Sequence, residues 1–199
     1  GGCGKTTLAM NLAGVIGTKF KVLLIDGDPQ GSASRWAASS SDEKPFPTAV
    51  MSLANVTDKV NREIKKYLAD YEYIFVDCPP AIDNSFTASA LLVADLAIVP
   101  VVPSPTDLWA AIGIQKLISN VSEINEKLTA RLVANMCQSN ASISKEALTL
   151  INEFDFPKTN TDIYQRTAYR QAAAFGGTVL DLDNPKAKSE INALVAEIL

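Results

Sequence analysis

The sequence predicts an α/β fold, a mostly parallel sheet sandwiched between helices. Three observations carry that prediction. Short apolar runs recur without polar alternation, and a strand covered on both faces reads that way. Longer stretches with apolar residues at helical spacing lie between them, the alternation expected of βα units. Two of the runs end in an acid, Asp26 and Asp77, where an open sheet of this class presents its ligand crevice.

In chain order, Lys5 to about Val15 reads as the first helix, directly after a glycine-rich turn. Lys21–Asp26 (KVLLID) is a buried-strand run. Ser39–Pro47 is polar with two prolines and reads as a surface loop. Asp58–Ala69 reads as a helix, with Val60, Ile64 and Leu68 on one face. Tyr73–Asp77 (YIFVD) and Leu96–Val101 (LAIVPV) are further strands, Ala110–Ile124 a helix, and Leu132–Asn135 a fourth strand. Ser144–Phe154 and Lys186–Leu199 read as late helices. No repeat or linker interrupts the 199 residues, so one domain over 1–199 is expected. A glycine-rich turn of this kind hangs from a buried strand. The expectation is therefore a strand of about ten residues ahead of Gly1.

Composition excludes several function classes. Net charge is −4 and evenly spread, with 9 basic and 11 acidic residues in each half, so any nucleic-acid contact must come from a local patch. The chain has no histidine, which excludes histidine catalysis and histidine-ligated metal. Cys3, Cys78 and Cys137 are widely spaced and odd in number; they form neither a disulfide framework nor a CxxC site and fit a reducing, cytoplasmic setting. Cys3 is expected as a tolerated small residue, Cys78 and Cys137 as buried thiols, and Trp36 and Trp109 as packing or interface residues. The apolar stretch Leu91–Val102 is broken by Asp95 and Pro100 and is too short to span a bilayer.

Three segments carry chemistry. Gly1-Gly2-Cys3-Gly4-Lys5-Thr6-Thr7 has the layout of a P-loop: glycines let backbone N–H groups close on phosphate oxygens, Lys5 supplies a cation, and the Thr6 hydroxyl can hold Mg²⁺. Asp26-Gly27-Asp28-Pro29-Gln30 and Asp77-Cys78-Pro79-Pro80 end two of the strands. An acid after an apolar run suits a Walker B position beside Mg²⁺, and Asp28 is placed to orient an attacking water. The reading is a phosphoryl-transfer site with ATP and Mg²⁺ as cofactors, and a fold of the P-loop NTPase type.

With those motifs in place, the chain resembles the ParA/MinD group of deviant Walker P-loop ATPases, and within it the small ParA-type partition proteins. The Asp26-x-Asp28-Pro29-Gln30 string is the most specific carrier of the resemblance, and Ile98–Pro103 adds a weaker match. The resemblance implies that Lys5 grips the β- and γ-phosphates, that Thr6 ligates Mg²⁺, and that Thr7 contacts the α-phosphate region. It implies Asp26 and Asp77 near the metal shell, Asp28 on the hydrolytic water, and Asn135 and Pro103 around the adenine. The group also uses a second lysine before the first glycine, reaching across an ATP-sandwiched homodimer; that position lies ahead of Gly1.

The resemblance further implies non-specific DNA binding by the ATP dimer, association with the nucleoid of a bacterium or archaeon, and a ParB-like or small centromere-binding adaptor. Arg166 and Arg170, four apart and so on one face were the segment helical, are the DNA candidates, with Lys186, Lys188 and Lys158 extending the patch. The function so implied is plasmid or chromosome partition. A ParA-like positioner of a protein cargo and a MinD-like membrane-cycling ATPase are the alternatives. Against the membrane type, the last ten residues hold no lysine or arginine for anionic lipid. A nitrogenase-reductase-like carrier lacks its cluster cysteines, and a biosynthetic ligase lacks visible substrate elements.

Overall fold

The computed structural model of the chain describes residues 2–56, 58–80, 85–138 and 145–199. Helices and strands alternate as α1 (Lys5–Gly17), β1 (Val22–Asp26), α2 (Ser32–Ala38), β2 (Ala49–Ser52), α3 (Val60–Lys65), β3 (Tyr73–Asp77) and α4 (Ser85–Leu91). There follow β4 (Leu96–Val101), α5 (Pro105–Ser122), β5 (Thr129–Ala134), α6 (Lys145–Asn152), α7 (Thr167–Phe175), a 3₁₀ turn (Val179–Asp181) and α8 (Pro185–Ile198). Among the described residues the named strands pair in parallel, in two blocks ordered β2-β1-β3 and β4-β5. The β1–β3 register sets Val22 opposite Tyr73 and Asp26 opposite Asp77, so both acids emerge side by side at the carboxyl end.

Burial follows position in the sheet. β1, central in its block, is buried at all five residues. β3 closes that block and is only half-buried from Tyr73 to Val76, although its apolar run reads as covered on both faces. α1 is buried from Met10 to Ile16, because its apolar residues run around the whole helix. It packs on β1, β3 and α8 and joins a core that reaches β5 through Val133.

Several elements differ from the sequence reading. α5 begins at Pro105 rather than Ala110: Ser104 caps it, its hydroxyl accepting from the Asp107 amide, and proline suits the first helical position. α3 is shortened to Val60–Lys65, and β5 spans Thr129–Ala134, leaving Asn135 just beyond it. The short elements α2, α4, α7 and β2 were not foreseen. Trp36 is buried, while Trp109 is 58% exposed on α5. Cys137 is buried; Cys78 is half-buried as a residue, though burial pushes its thiol, like that of Cys137, up to about 11.

Candidate functional site

The glycine-rich turn enters α1 through Gly4, whose φ of 80° lies in the left-handed region. A Cβ at Gly4 would also sit 2.6 Å from Asn135 Nδ2, so glycine is required twice over. The N-cap Gly4 has no side chain to cap this end of α1, and the first turn holds no acid. Among the described residues its leading N–H groups are therefore open to an anion, with the helix dipole in support. Lys5 and Thr7 stand in this turn, half-buried. Gly2 is exposed, Cys3 half-buried, and Gly1 lies outside the described residues.

The loop is pinned at two points. Asn135 Nδ2 donates to the Cys3 carbonyl at 2.7 Å, and the Asn135 amide donates to Val101 O at 2.8 Å. Asn135 and the half-buried Pro103 thus leave adjacent strands β5 and β4, and the Asn135 side chain meets the phosphate loop directly. On the other side, Thr6 Oγ1 donates to Asp77 Oδ2 at 2.6 Å.

Asp77 is 2% exposed, and its carboxyl is raised to about 6. Burial is the main cause; the Thr6 hydroxyl and Lys5 oppose it, while Asp26 and Asp28 add to it. Asp26 is wholly buried and staples the next loop: Oδ1 accepts from the Asp28 amide (3.1 Å), and Oδ2 from the Ser34 amide and hydroxyl (both 2.9 Å). Asp28 is half-buried, its Oδ1 taking the Gln30 amide at 2.8 Å in a tight turn. Gly27 brings the two strand ends together, its amide on Asp77 O at 2.9 Å; a Cβ there would stand 2.3 Å from the Phe86 ring.

The donor set fits Mg²⁺. Thr6 and Asp77 offer hard oxygens, and the charges of Asp26 and Asp28 act on Asp77 in one crevice, opposed in part by Lys5 and the Thr6 hydroxyl. Among the described residues no group of three acids and cysteines closes into a metal site of its own, and Mg²⁺ bound with phosphate needs only one or two protein oxygens. Both Asp26 oxygens already serve the protein, so Thr6 and Asp77 are the better placed pair.

Ser34, Asn11 and Phe86 belong to the site but escaped the sequence reading. Ser34 holds Asp26 from the first turn of α2. Asn11, fully buried, donates to Thr7 O at 2.8 Å and accepts from the Val179 amide at 2.9 Å. The usable signal was a serine eight residues after Asp26 and an amide inside an apolar helix.

The basic residues divide. Arg166 does not share a helix face with Arg170, because it sits in extended backbone at the N-cap of α7. Its guanidinium grips Glu190, with Nε 3.0 and 3.2 Å from the two carboxylate oxygens, and lies 5.4 Å from the Tyr164 ring centre. Their side chains are 19% and 12% exposed. Lys158 pairs with Asp162 at 2.5 Å. Arg170 and Lys186 are exposed and Lys188 half-buried. Arg166→Ala is expected to cost about 3 kcal/mol, since it strands a mostly buried carboxylate, whereas Arg170→Ala stays within about 0.5 kcal/mol. Thermal unfolding of the two variants checks this; equal midpoints would refute the structural role of Arg166.

A family model described as the CobQ/CobB/MinD/ParA nucleotide binding domain matches residues 1–179. The maintenance of carboxysome distribution protein A of Halothiobacillus neapolitanus is 32% identical over 201 residues, covering 100% of this chain and 92% of that protein. Among solved structures, apo McdA of Cyanothece superposes with a TM-score of 0.80 at 18% identity, over 99% of this chain and 94% of its own. Cobyrinic acid a,c-diamide synthase of Mycobacterium smegmatis, with a bound ATP analogue and magnesium, gives 0.76 at 19% identity, over 100% and 90%.

Proposed function

The chain belongs to the CobQ/CobB/MinD/ParA nucleotide-binding family, and from that footing we propose that it is a ParA-type positioning ATPase that dimerises on ATP, binds DNA non-specifically and distributes a protein cargo in the cytoplasm. As a P-loop ATPase of this family it works with ATP and Mg²⁺. The observation that carries the cargo is the match to a carboxysome distribution protein along the full chain. It favours a large protein assembly over the plasmid or chromosome cargo expected from sequence alone.

The site geometry supports the chemistry. Lys5 and the open N–H groups of α1 hold phosphate oxygens, and Thr6 with Asp77 holds the metal; bound Mg²⁺ supplies charge neutralisation at the phosphates. Asp28, fixed by its own turn, orients the attacking water. Asn135 sets the height of the loop through Cys3 and, with Pro103, borders the base.

Arg170 on α7 and Lys186 and Lys188 on α8 are the cations proposed to meet DNA. The two helices adjoin through Tyr169 Oη, 3.4 Å from Glu190. Lysines in the first turn of α8, with no acid there, oppose the helix dipole by about 0.3–1 kcal/mol each. Their placement fits a ligand role better than a stability role, and binding through them falls steeply with salt. α8 buries Ala187, Ile191 and Leu194 in its own core, and no helix among the described residues is long and apolar enough to cross a membrane. The burial of α8's apolar residues favours DNA over a membrane as the surface used. A small adaptor that stimulates hydrolysis completes the proposal.

Complementation tests the cargo. The full-length protein is expressed in H. neapolitanus lacking its own distribution protein, alongside a plasmid-stability assay. Restored carboxysome spacing is expected. Clustered carboxysomes together with restored plasmid inheritance would return the assignment to DNA partition.

A further inference from the structure

Two contacts leave the phosphate site and arrive at one place. From α1, Asn11 holds Thr7 O with its amide nitrogen (2.8 Å) and takes the Val179 amide on its carbonyl oxygen (2.9 Å). From α2, whose first turn is fastened to Asp26 through Ser34, Trp36 Nε1 donates to Gly177 O at 2.9 Å. Gly177 and Val179 flank the corner that follows α7. At that corner Gly176 has a φ of 71°, and a Cβ on it would meet the Ser40 amide nitrogen at 2.1 Å. The corner is therefore pressed backbone to backbone against the end of α2.

Both contacts add direction to an otherwise apolar core. Trp36 is 7% exposed among apolar neighbours, and its Nε1 donor is satisfied at the Gly177 carbonyl, which fixes the ring's orientation. Asn11 is an amide buried where α1 is otherwise apolar. Buried polar groups of this kind hold a unique arrangement, and they break together when one end moves.

We infer that Trp36 and Asn11 are positioning residues that couple the phosphate site to α7, the helix that carries Arg170, through the Gly176–Val179 corner. This rests on the proposal that Arg170 meets DNA. Thr7 belongs to the phosphate loop, and Asp26 governs the Asp28 turn. A change of ligand at either is passed along α1 or α2 as a rigid displacement, and the corner has no slack to absorb it.

The test uses the intact protein and Trp36→Phe, which keeps an aromatic ring, though a smaller one, and removes the donor; a thermal unfolding curve run alongside reads the packing loss separately. DNA affinity is measured with Mg-ATP and with Mg-ADP, and amide exchange of residues 167–175 is measured in the same two states. Wild type is expected to bind DNA more tightly with ATP and to show nucleotide-dependent exchange in α7. In Trp36→Phe the ATP-over-ADP affinity ratio is expected to fall about fivefold or more, while ATP affinity stays within about twofold. A variant that keeps the full ratio overturns the coupling, as does wild-type α7 exchange that ignores the nucleotide. Exchange that responds in wild type and not in Trp36→Phe, with no DNA bound in either state, upholds the coupling and refutes the DNA reading alone.

Discussion

Lys5→Ala is expected to abolish measurable ATP binding and to lower hydrolysis by about two to three orders of magnitude, the scale of losing one charge-stabilising group at a transferring phosphoryl. Lys5 opens α1 beside uncapped N–H groups, so the residual site retains backbone donors and the helix dipole but no formal cation. The phosphates carry charge that donors alone neutralise poorly. The substitution leaves the fold intact, because alanine is the best helix former and Lys5 is not a core residue. Nucleotide titration and a phosphate-release assay, with an unfolding curve alongside, read both effects. Hydrolysis retained at wild-type rate in a folded variant would remove the assignment of this loop to the reaction.

Asp77→Asn is expected to act in opposite directions on stability and activity. The Asp77 carboxyl is raised to about 6, chiefly by burial, so at neutral pH the ligand-free fold carries an ion it holds poorly. A shift of about two units corresponds to about 2–3 kcal/mol. The amide keeps the shape and still accepts from Thr6, so the ligand-free variant should melt roughly 5 °C or more above wild type. Mg²⁺-dependent hydrolysis should fall by about a hundredfold or more with the lost carboxylate.

The pH dependence has a definite sign. A carboxyl raised on folding destabilises the fold above its folded pKa, and the penalty lifts as pH falls through about 6 towards the ordinary carboxylate range. Ligand-free wild type should therefore gain stability from pH 7 to 5, and Asp77→Asn should not. At still lower pH the trend reverses at Glu197. Burial pushes that carboxyl up, but the Thr161 hydroxyl and the Asn160 and Thr161 amides outweigh it and hold it below its usual range. A wild-type curve that falls steadily from pH 7 would reject the account of Asp77.

The parts of this fold legible in sequence were those with a strong local code. YIFVD and VLLID are short unbroken apolar runs that read as buried strands, and the acid ending each was visible as a site. α2, α4 and α7 were not legible: they hold seven to nine residues, rich in alanine and serine, with too few apolar positions to show a period. The Ser104-Pro105 start of α5 was a readable cap that the apolar spacing from Ala110 obscured. Arg166 shows the limit for charges. Its partner Glu190 lies 24 residues on, and nothing local distinguishes an arginine that will be enclosed from one that will face solvent. The strand-end place of Asn135 was legible, but its bond to the Cys3 carbonyl, 132 residues back, was not.

That last bond has a consequence for how the molecule comes apart. The phosphate loop is tied to β3 through Thr6 and Asp77, and to the end of β5 through Cys3 and Asn135, so it works as a keystone between two sheet blocks that share no ladder hydrogen bond among the described residues. Whatever fills the loop tightens both ties at once. Nucleotide is therefore expected to protect both blocks against protease together, including the one that holds neither Lys5 nor the acids.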